Sequence, residues 1–212
     1  MIRWVLFISL LTSVYSYAGV SVVGTRFFFN DKTKKINIKI INDHESDYLI
    51  KTNINEGGFI VSPPLLLIRK DRDNIVSIIP DGFKFNSDKV FDLVVTAIPK
   101  SNLSDGNKIN LSIRSHFKLI YRYKPINENI LDSLSLGKDN INQDIIYNPT
   151  NSFISLYISC DSNINEMSGG VNIYPHQKIL VNHCDEMWAS LINDDGSISP
   201  AKRIYTNKLE NI

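Results

Sequence analysis

The residues with the plainest capacity for covalent or metal chemistry are Cys160 and Cys184, the only cysteines in the chain, with His183 beside the second. The thiols stand 24 positions apart. In an exported chain such a pair is expected to form one disulfide. A loop of that size stabilises by roughly 3 kcal/mol in the chain-entropy account. A metal held by Cys160, Cys184 and His183 is the alternative, but the cysteines lack the C-x-x-C spacing of structural zinc sites. No metal and no cofactor are expected. His44, His116 and His176 sit in no H-E-x-x-H arrangement, and there is no G-x-S-x-G elbow, Walker loop or dinucleotide turn. The chain reads as a non-enzyme.

The elements that must position these residues begin with a leader. Arg3 supplies a positive start, Trp4 to Val14 is an apolar run, and Ser16-Tyr17-Ala18 resembles a small-x-small cleavage site. Residues 1–18 are therefore expected to be a signal peptide rather than an uncleaved anchor, because a bilayer span needs about 20 apolar residues. No later stretch is long and apolar enough to span, so no stable membrane insertion is expected. The 212 residues include 31 Ile and only four Ala. Ala is the best helix former and β-branched Ile suits a pleated surface, so an all-β fold is expected. A net charge of +1 argues against nucleic acid as a partner.

Alternation of period two recurs, as in Ile36, Ile38 and Ile40. Its longest run is 109–123, where Ile109, Leu111, Ile113, Phe117, Leu119, Tyr121 and Tyr123 hold odd positions and polar residues hold most even ones. That predicts one strand of fifteen residues, spanning about 50 Å, where five or six residues are usual. Turn chemistry at Gly57-Gly58, Asp81-Gly82, Asp105-Gly106, Gly169-Gly170 and Asp195-Gly196 separates the strands. Lys124-Pro125 suggests a linker near 124–127. The expectation is two immunoglobulin-like sandwiches, 19–123 and 127–212.

Taken in order, Gly24-Thr25-Arg26, Ser62-Pro63-Pro64, Ala97-Ile98-Pro99, Phe117-Lys118-Leu119-Ile120-Tyr121-Arg122, Asn148-Pro149-Thr150 and Ile192-Asn193-Asp194-Asp195-Gly196 resemble the periplasmic chaperones of the chaperone–usher pilus pathway, the PapD-like family. The resemblance covers the whole chain after the leader. It implies two sandwiches in an L- or boomerang-shaped arrangement with a cleft between them. It also implies a function: binding, folding and capping pilus subunits by donor-strand complementation, then delivery to the outer-membrane usher from the periplasm. Arg26 and Lys118 resemble the basic pair that anchors a subunit's C-terminal carboxylate, a task suited to charge-assisted hydrogen bonds. Ile109, Leu111 and Ile113 resemble the alternating side chains inserted into a subunit's open groove. Asp88, Arg122 and Asp194 resemble an interdomain salt-bridge network, and Pro63 falls where the family typically has a cis proline. An exposed apolar edge is an aggregation liability, so self-capping or weak oligomerisation of the free chain is expected.

The sequence departs from the family in places. Arg122 is followed by Tyr123-Lys124-Pro125 rather than directly by proline, and Ile98-Pro99 by Lys100 rather than a second proline. The connection from Lys100 to Lys108 is short, resembling the branch whose clients are rod-like pili with adhesive tips. An exported immunoglobulin-like adhesin or carbohydrate-binding module is the alternative, with no need of Arg26, Lys118 and the 109–113 register together. Charge is split between the halves: 19–123 carries 16 basic and 11 acidic residues, and 124–212 carries six and 11.

Overall fold

The computed structural model describes residues 19–100, 111–139, 141–164 and 170–205, and the leader expected over 1–18 lies outside them. Nine strands precede the linker region: β1 (Val20–Val22), β2 (Arg26–Phe29), β3 (Ile36–Asn42), β4 (Tyr48–Ile54), β5 (Phe59–Ser62), β6 (Leu65–Ile68), β7 (Arg72–Pro80), β8 (Lys89–Pro99) and β9 (Ile113–Tyr121). They form two sheets, ordered β1-β3-β7-β5 and β2-β9-β8-β4-β6. Period-two alternation sets their faces. In β3, Ile36, Ile38 and Ile40 are buried while Asn37 and Lys39 are exposed, as expected for a strand with one wet face. Between the sheets, Phe29, Phe59, Phe83, Phe85, Phe91 and Tyr121 form a continuous group of rings with centroids 4.6 to 6.2 Å apart. Most are edge-on or tilted, the favourable arrangements for aromatic pairs.

The chain enters by switching sheets. β1 pairs with β3 in one sheet, and β2 pairs with β9 in the other. Gly24 makes the crossing at φ +108°, a conformation costly for any residue with a Cβ. The β2–β9 pair is parallel, alone among the described strands, and it sets Arg26 opposite Lys118. The Ser62–Pro63 peptide bond is cis.

After Tyr121 the chain leaves the sheet. A 3₁₀ segment, Glu128–Ser133, is opened by Asn127, whose side chain accepts the Asn129 N–H at 3.1 Å. The second group comprises β10 (Ser135–Lys138), β11 (Asp144–Tyr147), β12 (Ile154–Ser159), β13 (Gly170–Ile173), β14 (Lys178–Leu180), β15 (Met187–Leu191) and β16 (Lys202–Ile204). Its sheets run β10-β11-β14 and β13-β12-β15-β16. Its core is aliphatic, with Leu131, Leu134, Ile146, Ile154, Leu156 and Leu191 among its buried members. The all-β expectation and the pair of sandwiches are therefore found.

One expectation needs correction. The strand read as 109–123 is β9, Ile113–Tyr121; Leu111 and Ser112 are outside it, and Ile109 lies outside the described residues. Alternation reports which face a side chain would take, not whether a neighbouring backbone exists to pair with it. Pairing with β8 ends at Ala97 opposite Ile113, and pairing with β2 covers only Lys118 to Tyr121. From Ile113 to Phe117 the side of β9 facing away from β8 has no partner strand among the described residues.

Candidate functional site

The junction between the sandwiches is built on Asp88, just before β8. Its Oδ1 accepts the Tyr123 N–H at 2.7 Å and its Oδ2 accepts the Phe153 N–H at 2.9 Å and the Nη1 of Arg122. Its own N–H donates to the Asn151 carbonyl at 2.8 Å. Arg122 follows β9 and spends its whole fork. Nη1 also donates to the Phe153 carbonyl at 2.7 Å, while Nε donates to Asp194 Oδ2 at 3.0 Å and Nη2 to Asp194 Oδ1. The Asp88 side chain is fully buried and that of Arg122 is 9% exposed. Asp194 is presented by a turn in which Gly196 takes φ +86° and its N–H donates to the Asn193 carbonyl at 3.0 Å. The structure thus brings together Asp88, Arg122 and Asp194. A buried pair of this kind specifies geometry more reliably than it adds net stability, and here it spans two sandwiches.

Beside that junction, Arg26 and Lys118 stand on neighbouring strands in direct register. A cleft of about 310 Å³ runs along them, walled on the far side by Ser155, Tyr157 and Asn172 of the second sandwich. The Lys118 Nζ lies 5.2 Å from the centroid of the Phe153 ring, within cation–π range. Burial, and then the neighbouring Arg26 charge, hold the Lys118 pKa below its usual 10.5. Among the described residues neither cation has a carboxylate within ion-pair distance. Two adjacent cations, one of them partly desolvated, form a site that an incoming anion relieves.

From this cleft β9 leads outward. Leu119 and Tyr121 are buried in the first core, Phe117 is half-buried, Ile113 is 52% exposed and Leu111 is 74% exposed. The same face of the same segment passes from core to solvent. Cys160 and Cys184 are bonded to each other with Cα atoms 5.3 Å apart, an ordinary span for a disulfide. His183 lies against Asp144, at 2.5 Å from Nδ1 to Oδ2. Among the described residues no group of three His, Cys, Asp or Glu is arranged to hold a metal, and no helix is long and apolar enough to cross a membrane.

Sequence reasoning missed Phe153, the ring under Lys118. An isolated aromatic between Ser152 and Ile154 carries no signal beyond a core residue. It also missed Asp92 and His116 beside the same lysine, which only the strand register brings together, and Asn55, which is hydrogen-bonded to Asp92.

Two immunoglobulin-like sandwiches thus carry a basic cleft at their junction and an exposed apolar run beside it. The chain belongs to the family of pili and flagellar-assembly chaperones: the description of the PapD N-terminal domain matches residues 19–127. It is 26% identical to the chaperone protein SefB of Salmonella enteritidis, over 84% of each chain. It is 25% identical to the fimbrial chaperone YcbF of Escherichia coli strain K12, over 92% of each. In fold it resembles a chain of the Salmonella enterica SafA pilin–SafB chaperone complex. The TM-score is 0.72 at 20% identity, covering 92% of this chain and 98% of that one.

Proposed function

We propose that this chain is a periplasmic chaperone that binds, folds and caps pilus subunits by donor-strand complementation and delivers them to the outer-membrane usher. In this reading residues 1–18 direct export and are removed, and 19–123 and 127–212 are the two chaperone domains. Arg26 and Lys118 receive the subunit's C-terminal carboxylate. Ile109, Leu111 and Ile113 enter the groove that a subunit lacking its last strand leaves open. The Asp88–Arg122–Asp194 network holds the angle between the domains, and hence the width of the cleft.

The observation that carries this reading is the behaviour of β9. Its inner half is paired to β2 and carries Lys118 opposite Arg26, while its outer half has, among the described residues, an unpaired edge and leads to exposed Ile113 and Leu111. One strand therefore joins a carboxylate site to a β-augmentation edge. Three aliphatic side chains at about 1.5–3 kcal/mol each supply several kcal/mol before ordering costs. No nucleotide is needed, because a subunit strand that fits the groove better can displace this one.

The test is recovery of a co-expressed fimbrial subunit with the tagged chaperone. Arg26→Ala, Lys118→Ala and Leu111→Asp are each expected to reduce recovery at least tenfold while the chaperone stays folded by circular dichroism. Undiminished recovery with the two basic-site variants overturns the carboxylate anchor, and undiminished recovery with Leu111→Asp overturns the lent strand.

A further inference from the structure

The residue directly across the sheet from Lys118 is an acid. β8 and β9 are antiparallel, and their register sets Asp92 opposite Lys118. Opposite charges facing one another across a strand pair attract, and both residues line one cleft of about 240 Å³. The default outcome is an Asp92–Lys118 ion pair, which would neutralise the lysine and force an arriving carboxylate to compete with a resident one.

The structure shows a different pairing. His116 lies two residues before Lys118 on the same face of β9, opposite Val94, and so sits diagonally from Asp92. Its Nδ1 is 3.0 Å from Asp92 Oδ1 and 2.9 Å from Oδ2. An ionised carboxylate only accepts, so this nitrogen carries the hydrogen. On the other side, Asn55 Nδ2 donates to Asp92 Oδ2 at 2.9 Å. Asn55 is itself oriented, because its Oδ1 accepts from Asn53 Nδ2 at 3.2 Å and its backbone N–H donates to the Asp92 carbonyl at 3.4 Å. Asp92 is drawn toward β4 and along β9.

We propose that His116 and Asn55 are positioning residues that hold Asp92 off Lys118, leaving the lysine unpaired for an incoming carboxylate. This rests on Arg26 and Lys118 being the carboxylate anchor. With Asp92 engaged, Lys118 keeps the Arg26 guanidinium opposite it on β2 and the neutral Phe153 ring beneath it. Without His116, Asp92 keeps only the Asn55 amide and turns to the lysine opposite. Asn55 is the weaker restraint, since its loss leaves the His116 contacts to both oxygens.

Two readouts on the full chain test this. In the free protein, labelled with lysine carrying 13C at Cε, the Lys118 titration followed by NMR is expected to move upward in His116→Ala. It should return when Asp92→Asn is added. Binding is read with a short peptide of alternating valine and threonine, compared with the same peptide ending in an amide. The preference for the free carboxylate is expected to fall about fivefold in His116→Ala, less in Asn55→Ala, and to recover in His116→Ala/Asp92→Asn. A merely structural role for His116 would not be rescued by a change in Asp92. If the unaltered chain shows no preference for the carboxylate, the anchor falls and this proposal with it. If that preference is present but Lys118 titrates unchanged in His116→Ala, or Asp92→Asn restores nothing, only the restraint on Asp92 is overturned.

Discussion

The two sandwiches solve one loop in the same way and almost everything else differently. Asn42 ends β3, buried, and its Nδ2 donates to the carbonyls of Ser46, Ile68 and Arg69 at 2.8, 3.4 and 3.0 Å. Asn148 follows β11, buried, and donates to Ser152, Ile173 and Tyr174 at 2.8, 3.4 and 3.0 Å. Around that shared device the first sandwich packs aromatic rings and the second packs aliphatic side chains. The first carries the basic excess and, among the described residues, the unpaired outer edge of β9; the second carries the acidic excess and the disulfide. The difference separates two tasks. The larger, ring-packed core supports the strand proposed to be lent, while the smaller domain is stapled and serves as the opposite wall of the cleft.

The change expected to break this division most severely is Asp88→Ala. It leaves the Tyr123 and Phe153 N–H groups without their acceptor and removes one partner of the buried Arg122. Losing one member of a buried pair costs about 3–5 kcal/mol. Urea unfolding followed by tryptophan and tyrosine fluorescence should show that loss, with the two domains unfolding at separate midpoints rather than together.

Removing the staple should act on one side only. Cys160→Ser with Cys184→Ser is expected to lower the stability of the second sandwich by about 2–4 kcal/mol. Hydrogen exchange should show faster opening over β12 and β15 with β3 and β8 unchanged. Equal loosening of both sandwiches would contradict the separation of tasks.

The smallest effect concerns Lys118, whose burial costs the first sandwich something. Its pKa is lower in the folded chain than the ordinary 10.5. Below the folded value both states are protonated, and the folded state bears the penalty of a partly desolvated charge. As pH rises through the folded value toward 10.5 that penalty is relieved, so stability rises. Lys118→Met is therefore expected to raise the melting temperature by about 1 °C at neutral pH, with the gain fading as pH approaches 10.5. A loss of stability at neutral pH would show that the lysine supports the fold rather than burdening it.

The sequence made some of these elements legible and hid others for physical reasons. Two cysteines in a chain whose first 18 residues read as an export leader already suggested one bond. Alternation at Ile36, Ile38 and Ile40 marked the core face of β3 because each residue's face depends only on its neighbours along the chain. The same reasoning overran at 109–123, since strand ends depend on partners elsewhere. Arg26 and Lys118 stood out only through their resemblance to a known family; by type alone they are two cations among 23. Asp92 and His116 were unreadable as a pair, because their meeting is a property of register. Asn148 stood out within Asn148-Pro149-Thr150, whereas Asn42, read with Asp43 as a turn, gave no sign of being its counterpart. Asn42-Asp43-His44 shares only the asparagine, and the backbone geometry that makes them equivalent leaves little trace in side-chain type.

The parallel join between β2 and β9 bears on the order of events as the chain folds. It closes nearly the whole first sandwich in sequence, uniting its second strand with its last. Contacts of such separation form late, after nearer ones have offset the entropy of closing the loop. Arg26 is therefore expected to meet Lys118 only after the intervening strands have paired. On the proposed reading, the chaperone must complete its own first sandwich before it can receive another protein's terminus.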